Sequence, residues 1–216
     1  MLFRLPTVYA PQHDSRVLGQ AVAENVSSRA QCRVLDLCAG TGFLSLVALG
    51  AGADGVVAVD VSRAAGICIA ANSRLRRVRI DVRIGDLFEP VRGEKFELIA
   101  CNPPYVPAPS DIVPDKGARR NWDAGRDGRA VIDRICAESV DYLSSDGQIL
   151  MVQSSLSSVE KTLYMFEERG MRVEILSRSC TEFGPVVRSR EEYLRSQGLL
   201  ADSADREDLV VISARI

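Results

Sequence analysis

Short apolar runs alternating with helical patterns constrain this chain more than any other feature. Arg33–Leu37, Val56–Asp60, Val78–Ile84 and Phe96–Cys101 read as strands, with Gln148–Gln153, Met171–Leu176 and Leu209–Ala214 as three more. Nearly continuous apolar runs are what strands buried on both faces require. Between them, Asp14 to about Arg29 places Val17, Leu18, Ala21, Val22 and Val26 on one helical face, with Asp14 as the expected N-cap. Further helices are expected over Phe43–Leu49, from a Ser62 cap to about Arg74, over Gly128–Leu143 and over Val159–Arg169. Such a succession implies βαβ units and a parallel sheet covered on both faces. The last two strands lack a crossover of the usual kind, which suits an antiparallel edge strand. The expected fold is a doubly wound, Rossmann-like α/β domain with a seven-stranded, mostly parallel sheet and helices on both faces.

One domain is expected over residues 1–216, with an arm and helix over 1–30. Pro6 and Pro11 mark the arm as extended. The segment 183–208 reads as an insertion suited to substrate recognition through Arg188, Arg190, Arg195, Glu191, Glu192 and Tyr193, with a solvated helix as the blander reading. Basic and acidic side chains balance at 27 against 29, so the basic footprint of a nucleic-acid binder is missing. The six cysteines form no CxxC pair, which argues for reduced thiols and against a metal framework. No apolar run reaches a membrane-spanning length of about 18 residues. The opening residues lack a signal-peptide core, so a cytoplasmic location is expected.

Ligands in doubly wound sheets bind at the carboxyl ends of the strands. After the first strand comes Asp36-Leu-Cys-Ala-Gly-Thr-Gly42, whose glycines let the backbone turn tightly and approach a ligand. Its spacing falls short of the full dinucleotide fingerprint. Asp60 follows the second strand, where an acid can accept both hydroxyls of a ribose. Gly85-Asp86-Leu-Phe88 follows the third, offering a carboxylate to an adenine amino group and Leu87 to its ring. Asn102-Pro-Pro-Tyr105 follows the fourth. Two prolines there fix the chain extended, since each locks φ and lacks an N–H, and they leave carbonyls unpaired and facing outward. With the Asn102 side-chain carbonyl, this corner presents acceptors to a planar NH2 group. Tyr105 can stack on a flat amide or base.

These strand ends resemble class I S-adenosylmethionine-dependent methyltransferases that modify planar nitrogens. More closely, they resemble the HemK/PrmC-type protein-glutamine N5-methyltransferases. The likeness rests on Val8-Tyr-Ala-Pro-Gln-His-Asp-Ser15, Asp36 to Gly42, Asp60, Gly85-Asp86-Leu-Phe88, Asn102-Pro-Pro-Tyr105 and Trp122-Asp-Ala-Gly-Arg-Asp-Gly128, over about residues 8 to 178. Asn-Pro-Pro-Tyr alone is shared with adenine-N6 methyltransferases. Followed by the Trp-Asp-x-Gly-x-Asp-Gly element, it is much more specific to the glutamine group.

The resemblance implies S-adenosylmethionine as donor and S-adenosylhomocysteine as product. Asp36 and the backbone of Cys38, Ala39, Gly40 and Gly42 would hold the methionine end. Asp60, with Val61 beside it, would hold the ribose, and Asp86 with Leu87 the adenine. Ser15 would close over the donor, which Asn102 would also touch. Asn102 and the Pro103 carbonyl would grip the acceptor amide, with Pro104 and Tyr105 beside it. Cys38 and Ala39 depart from the usual first turn, and His13 replaces a commonly acidic residue. Lacking the N-terminal helical domain of the longer bacterial enzymes, the chain resembles the short single-domain branch of archaea and eukaryotes. Some members of that branch act with a small zinc-ribbon activator protein. The implied acceptor is a glutamine side chain of a protein such as a peptide-release factor. The alternative is an adenine-N6 methyltransferase acting on DNA or RNA, for which Arg74, Arg76, Arg77, Arg79 and Arg83 would supply a basic stretch. That chemistry needs a basic groove and a pocket for an extruded base, which a net charge of −2 disfavours. A module that binds the donor without turnover is disfavoured by the intact Asn-Pro-Pro-Tyr.

Overall fold

The computed structural model describes residues 2–216. Five parallel strands, β1 (Arg33–Leu37), β2 (Gly55–Asp60), β3 (Asp81–Ile84), β4 (Phe96–Cys101) and β5 (Leu143–Ser154), are joined by β6 (Arg172–Glu182) and β7 (Arg206–Arg215). The sheet order is β3-β2-β1-β4-β5-β7-β6. β7 runs antiparallel to both β5 and β6, so the expected antiparallel edge is a pair with β6 outermost.

The helices are α1 (His13–Ser27), α2 (Phe43–Gly50), α3 (Arg63–Arg76), α4 (Ile132–Glu138), α5 (Val159–Glu168), α6 (Pro185–Arg188) and α7 (Glu191–Ser196). Alternation along the strands divides the core in two. Val34, Val56, Leu98, Ala100, Leu150 and Val152 pack on Leu18, Val22 and Val26 of α1 and on Leu44 and Ala48 of α2. Ile69 of α3 packs on Ala58 of β2. On the opposite face, Leu35, Leu37, Val57, Val59, Ile99 and Met151 meet Ile132 and Ile135 of α4 and Phe166 of α5. Each fully buried side chain of this kind contributes about 1.5–3 kcal/mol. Together they hold the four strand ends of interest at fixed positions along one edge.

Four local expectations change. Asp14 is not an N-cap: Gln12 precedes α1, and the Asp14 carboxylate is turned to tertiary partners. β3 begins later because Arg77 ends α3 in a left-handed turn and Val78 N–H is spent on the Ser73 carbonyl. α4 starts at Ile132 because Gly128 has φ 73° and Ala130 N–H turns back to the Ala124 carbonyl. β6 and β7 run beyond their apolar centres, where Ser177–Glu182 pairs with Arg206–Val211 through backbone ladders that need no apolar pattern. All six cysteines are free, and only Cys180 is exposed. No helix among the described residues is long and apolar enough to cross a membrane.

Candidate active site

The carboxyl ends of β1, β2 and β4 open into a cavity of about 820 Å³. The N-terminal arm and the 113–122 loop roof it, joined where Asn121 Nδ2 donates to the Thr7 carbonyl at 2.9 Å. Asn72 anchors the arm: it accepts from Phe3 N–H at 2.7 Å and donates to the carbonyls of Phe3 and Thr41 at 3.0 and 2.9 Å. The cavity wall brings together Ser15, Cys38, Ala39, Gly40, Asp60, Val61, Asp86, Leu87, Asn102, Pro103, Pro104 and Tyr105. His13 also lines it, with Nε2 2.6 Å from Ser179 Oγ.

Two residues expected on that wall stand behind it. Asp36 is fully buried; its Oδ2 accepts from Ser45 N–H at 2.9 Å and Ser45 Oγ at 2.6 Å, fixing the first turn of α2. Burial pushes its carboxyl up to about 7, partly offset by the Ser45 bonds. Gly42 precedes α2 with φ 77°, and a Cβ there would press on the Ile69 side chain at 3.2 Å. Both act on the loop between them, where Cys38 and Gly40 are also left-handed.

Asp60 lies where a ribose acceptor is wanted. Its Oδ2 accepts from Gly40 N–H and its Oδ1 from Ser62 N–H, both at 2.8 Å. Burial raises its pKa, opposed by these two amides and by the charge of Arg120. The amides fix both oxygens and leave lone pairs for two adjacent hydroxyls. Asp86 is held by an Arg134 fork at 3.1 and 2.7 Å, and Leu87 forms a buried apolar wall next to it. Asp36 Oδ1 and Thr41 Oγ1 are buried without a partner in the protein. Such groups are rare in native structures; Thr41 belongs to the cavity wall, whereas Asp36 lies behind it. The paired acid, the apolar wall and the unsatisfied loop fit an adenosyl ligand with a polar methionine-like end.

At the other end stands the Asn-Pro-Pro-Tyr corner. Asn102 Nδ2 donates to Asp14 Oδ2 at 3.1 Å and to Ser15 Oγ at 3.2 Å. The same Asp14 oxygen accepts from Tyr9 at 2.8 Å and Tyr105 at 3.0 Å. Burial, then Asp14, pushes the Tyr105 hydroxyl well above its ordinary pKa, and the same causes raise Tyr9, so both stay protonated donors. Asp14 is the functional residue that sequence reasoning undervalued. It lies inside the quoted arm motif, yet a position that reads as a helix cap hides a carboxylate serving three donors 5, 88 and 91 residues away. Glu207, buried at the start of β7, also lines this end and had no motif to reveal it.

The 183–208 segment packs on the corner from outside through Val187, Leu194 and Leu200, against Val106 and Leu156. Arg190 pairs with buried Asp123 and donates to the Pro107 carbonyl at 2.8 Å. Tyr193 donates to the Ala108 carbonyl at 3.0 Å, and Arg195 binds the carbonyls of Ala201 and Ala204. Arg190 and Tyr193 thus brace the 105–126 loop, while Arg195 ties the segment to itself. Just after that loop, a side chain at Gly128 would overlap the Tyr105 carbonyl oxygen.

Residues 5–113 match the family described as the methyltransferase small domain. A provisionally named protein N5-glutamine methyltransferase of Methanocaldococcus jannaschii is 35% identical over 178 residues, covering 82% of this chain and 88% of its own length. A release factor glutamine methyltransferase of Geobacter sulfurreducens is 31% identical over 173 residues, which span 76% of this chain but only 59% of that longer protein. Among solved structures, the E. cuniculi Mtq2–Trm112 complex, responsible for methylation of the eRF1 translation termination factor, superposes with a TM-score of 0.59. That match has 22% identity and covers 97% of this chain and 98% of the other, which establishes a shared fold.

Proposed function

The chain belongs to the methyltransferase small-domain family and, within it, to the protein N5-glutamine methyltransferases; from that premise we propose that it methylates a glutamine side-chain nitrogen in a peptide-release factor, using S-adenosylmethionine. When bound, that donor supplies a methyl group on a positively charged sulfur. Asp60 holds its ribose, Leu87 and Asp86 its adenine, and the Cys38–Thr41 loop its methionine end. Asp36 and Gly42 set the shape of that loop from behind.

An amide nitrogen is a poor nucleophile because its lone pair is delocalised into the carbonyl. The chain's part is therefore placement and electrostatics. Asp14 and Ser15 pin the Asn102 NH2, so Asn102 Oδ1 is turned away from them as an acceptor. Oδ1 and the Pro103 carbonyl then receive the two N–H bonds of the acceptor amide and fix its plane. Tyr105, held by Asp14, closes one side. No strong base is needed, since the proton can leave after the methyl has moved.

The single observation that supports this reading best is the Asn102 side chain, oriented by a buried carboxylate and lining the same cavity as Asp60. Asn102→Ala is expected to abolish methyl transfer while leaving donor affinity, read by calorimetry, within about threefold of wild type. Full turnover in this variant would overturn the reading.

A release-factor acceptor places the protein in the cytoplasm, where translation ends. The reading also includes a small activator protein, for which the Mtq2–Trm112 neighbour, itself a complex of two proteins, is a precedent in architecture. Here β3 is a sheet edge paired only with β2, and Ile67, Leu75 and Ile84 are exposed on and beside it. An open edge with apolar neighbours suits pairing with a second chain.

A further inference from the structure

Glu207 belongs to none of the motifs. Because β7 is antiparallel, its first residues lie at the same edge as the last residues of β5, with Leu209 opposite Ser154. Topology thus delivers a carboxyl to the ligand edge from a strand whose neighbours contribute only their far ends. Glu207 is 7% exposed, and that remainder faces the cavity also lined by Asn102, Pro103 and Tyr105. Ser154 Oγ donates to its Oε2; burial raises the pKa of its carboxyl, opposed by the hydrogen bonds from Ser154 and the Gly184 N–H. No cation pairs with it among the described residues. A buried carboxylate lacking a cation is held at a free-energy cost unless a ligand completes its hydrogen bonding.

The acceptor end is thus lined by hydrogen-bond acceptors: Asn102 Oδ1, the Pro103 carbonyl and Glu207. A primary amide has two N–H bonds, and the first two acceptors use both. Glu207 is left for a different donor on the same acceptor protein. Resting on the glutamine reading, we propose that Glu207 is a specificity-determining residue that accepts a hydrogen bond from a backbone N–H flanking the target glutamine. Loops rich in glycine, which expose backbone N–H groups without side-chain cover, fit this requirement. With Glu182 and Asp14 also on the wall, acidic flanking residues are disfavoured.

The test is steady-state methylation of a purified release factor by wild type, Glu207→Gln and Glu207→Asp. Gln keeps the side-chain size and one acceptor oxygen but loses the charge, so KM for the release factor should rise about tenfold or more. The kcat, the melting temperature and the calorimetric donor affinity should stay close to wild type, and Asp should recover part of the KM. An unchanged KM in Glu207→Gln overturns the proposal. So does a parallel fall of kcat, donor affinity and melting temperature, which marks a purely architectural group. If the wild type does not methylate a release factor, the glutamine reading itself fails and this one falls with it. Failure confined to the variants strikes Glu207 alone.

Discussion

Asp36→Asn isolates one buried charge at the root of the donor loop. The wild-type carboxyl is fully buried, with one oxygen on Ser45 and the other without a partner. Its pKa is about 7 when folded, against 3.8 for the ordinary group. The folded state therefore holds this proton more tightly than the unfolded chain. Stability from this group is full below the unfolded pKa and is lost as pH rises through 7. Between about pH 6 and pH 8, the loss amounts to roughly 1 kcal/mol. Asn has no proton to lose and can still accept from Ser45. Every other titrating group is common to both proteins and cancels in the difference. Thermal melts at the two pH values should show the variant gaining on wild type by about 2–4 °C on going to the higher pH. Parallel pH profiles would refute the claim that Asp36 is desolvated, as would a wild type that gains on the variant.

Asp14→Asn replaces one acceptor oxygen with a donor among Tyr9, Tyr105 and Asn102. Methyl transfer to a release factor should fall about tenfold to a hundredfold, while donor affinity by calorimetry changes far less; equal losses in both would contradict its place at the acceptor corner. Arg190→Ala leaves Asp123 buried beside Arg119, whose own side chain is largely exposed. Chemical denaturation should register a loss of about 3 kcal/mol, and a loss near zero would show that the brace on the 105–126 loop carries no weight.

Strand ends are where this sequence is most legible, for a physical reason. β1, β2 and β4 are buried on both faces, so their apolar runs are continuous and end abruptly where polar chemistry begins. Asp60 and Asn102–Tyr105 stand at those ends and line the cavity as expected. Asp36 is part of the same pattern but points into the core, because a strand residue's facing depends on parity and on the helix that follows. Asp14 and Glu207 were illegible for another reason. Their partners come from distant parts of the chain, and a lone acid carries no periodic signal. The 183–208 segment fails in the same way: Arg190 and Tyr193 read as solvated until the loop they brace is folded beneath them. Boundaries moved at Arg77, where a left-handed residue after α3 delays the strand that follows, and at Gly128, where left-handed backbone delays a helix that the side-chain pattern would start.

The central claim is that a fixed pair of carbonyl acceptors, on Asn102 and Pro103, presents a flat side-chain amide to the donor methyl. Its most direct test incubates the protein with isotopically labelled S-adenosylmethionine, a release factor and bulk nucleic acid, then locates the label by tandem mass spectrometry. The account predicts one labelled methyl on the side-chain nitrogen of a release-factor glutamine, and none when Asn102→Ala replaces wild type. Label on adenine, or on the release factor at an atom other than a glutamine side-chain nitrogen, would contradict it.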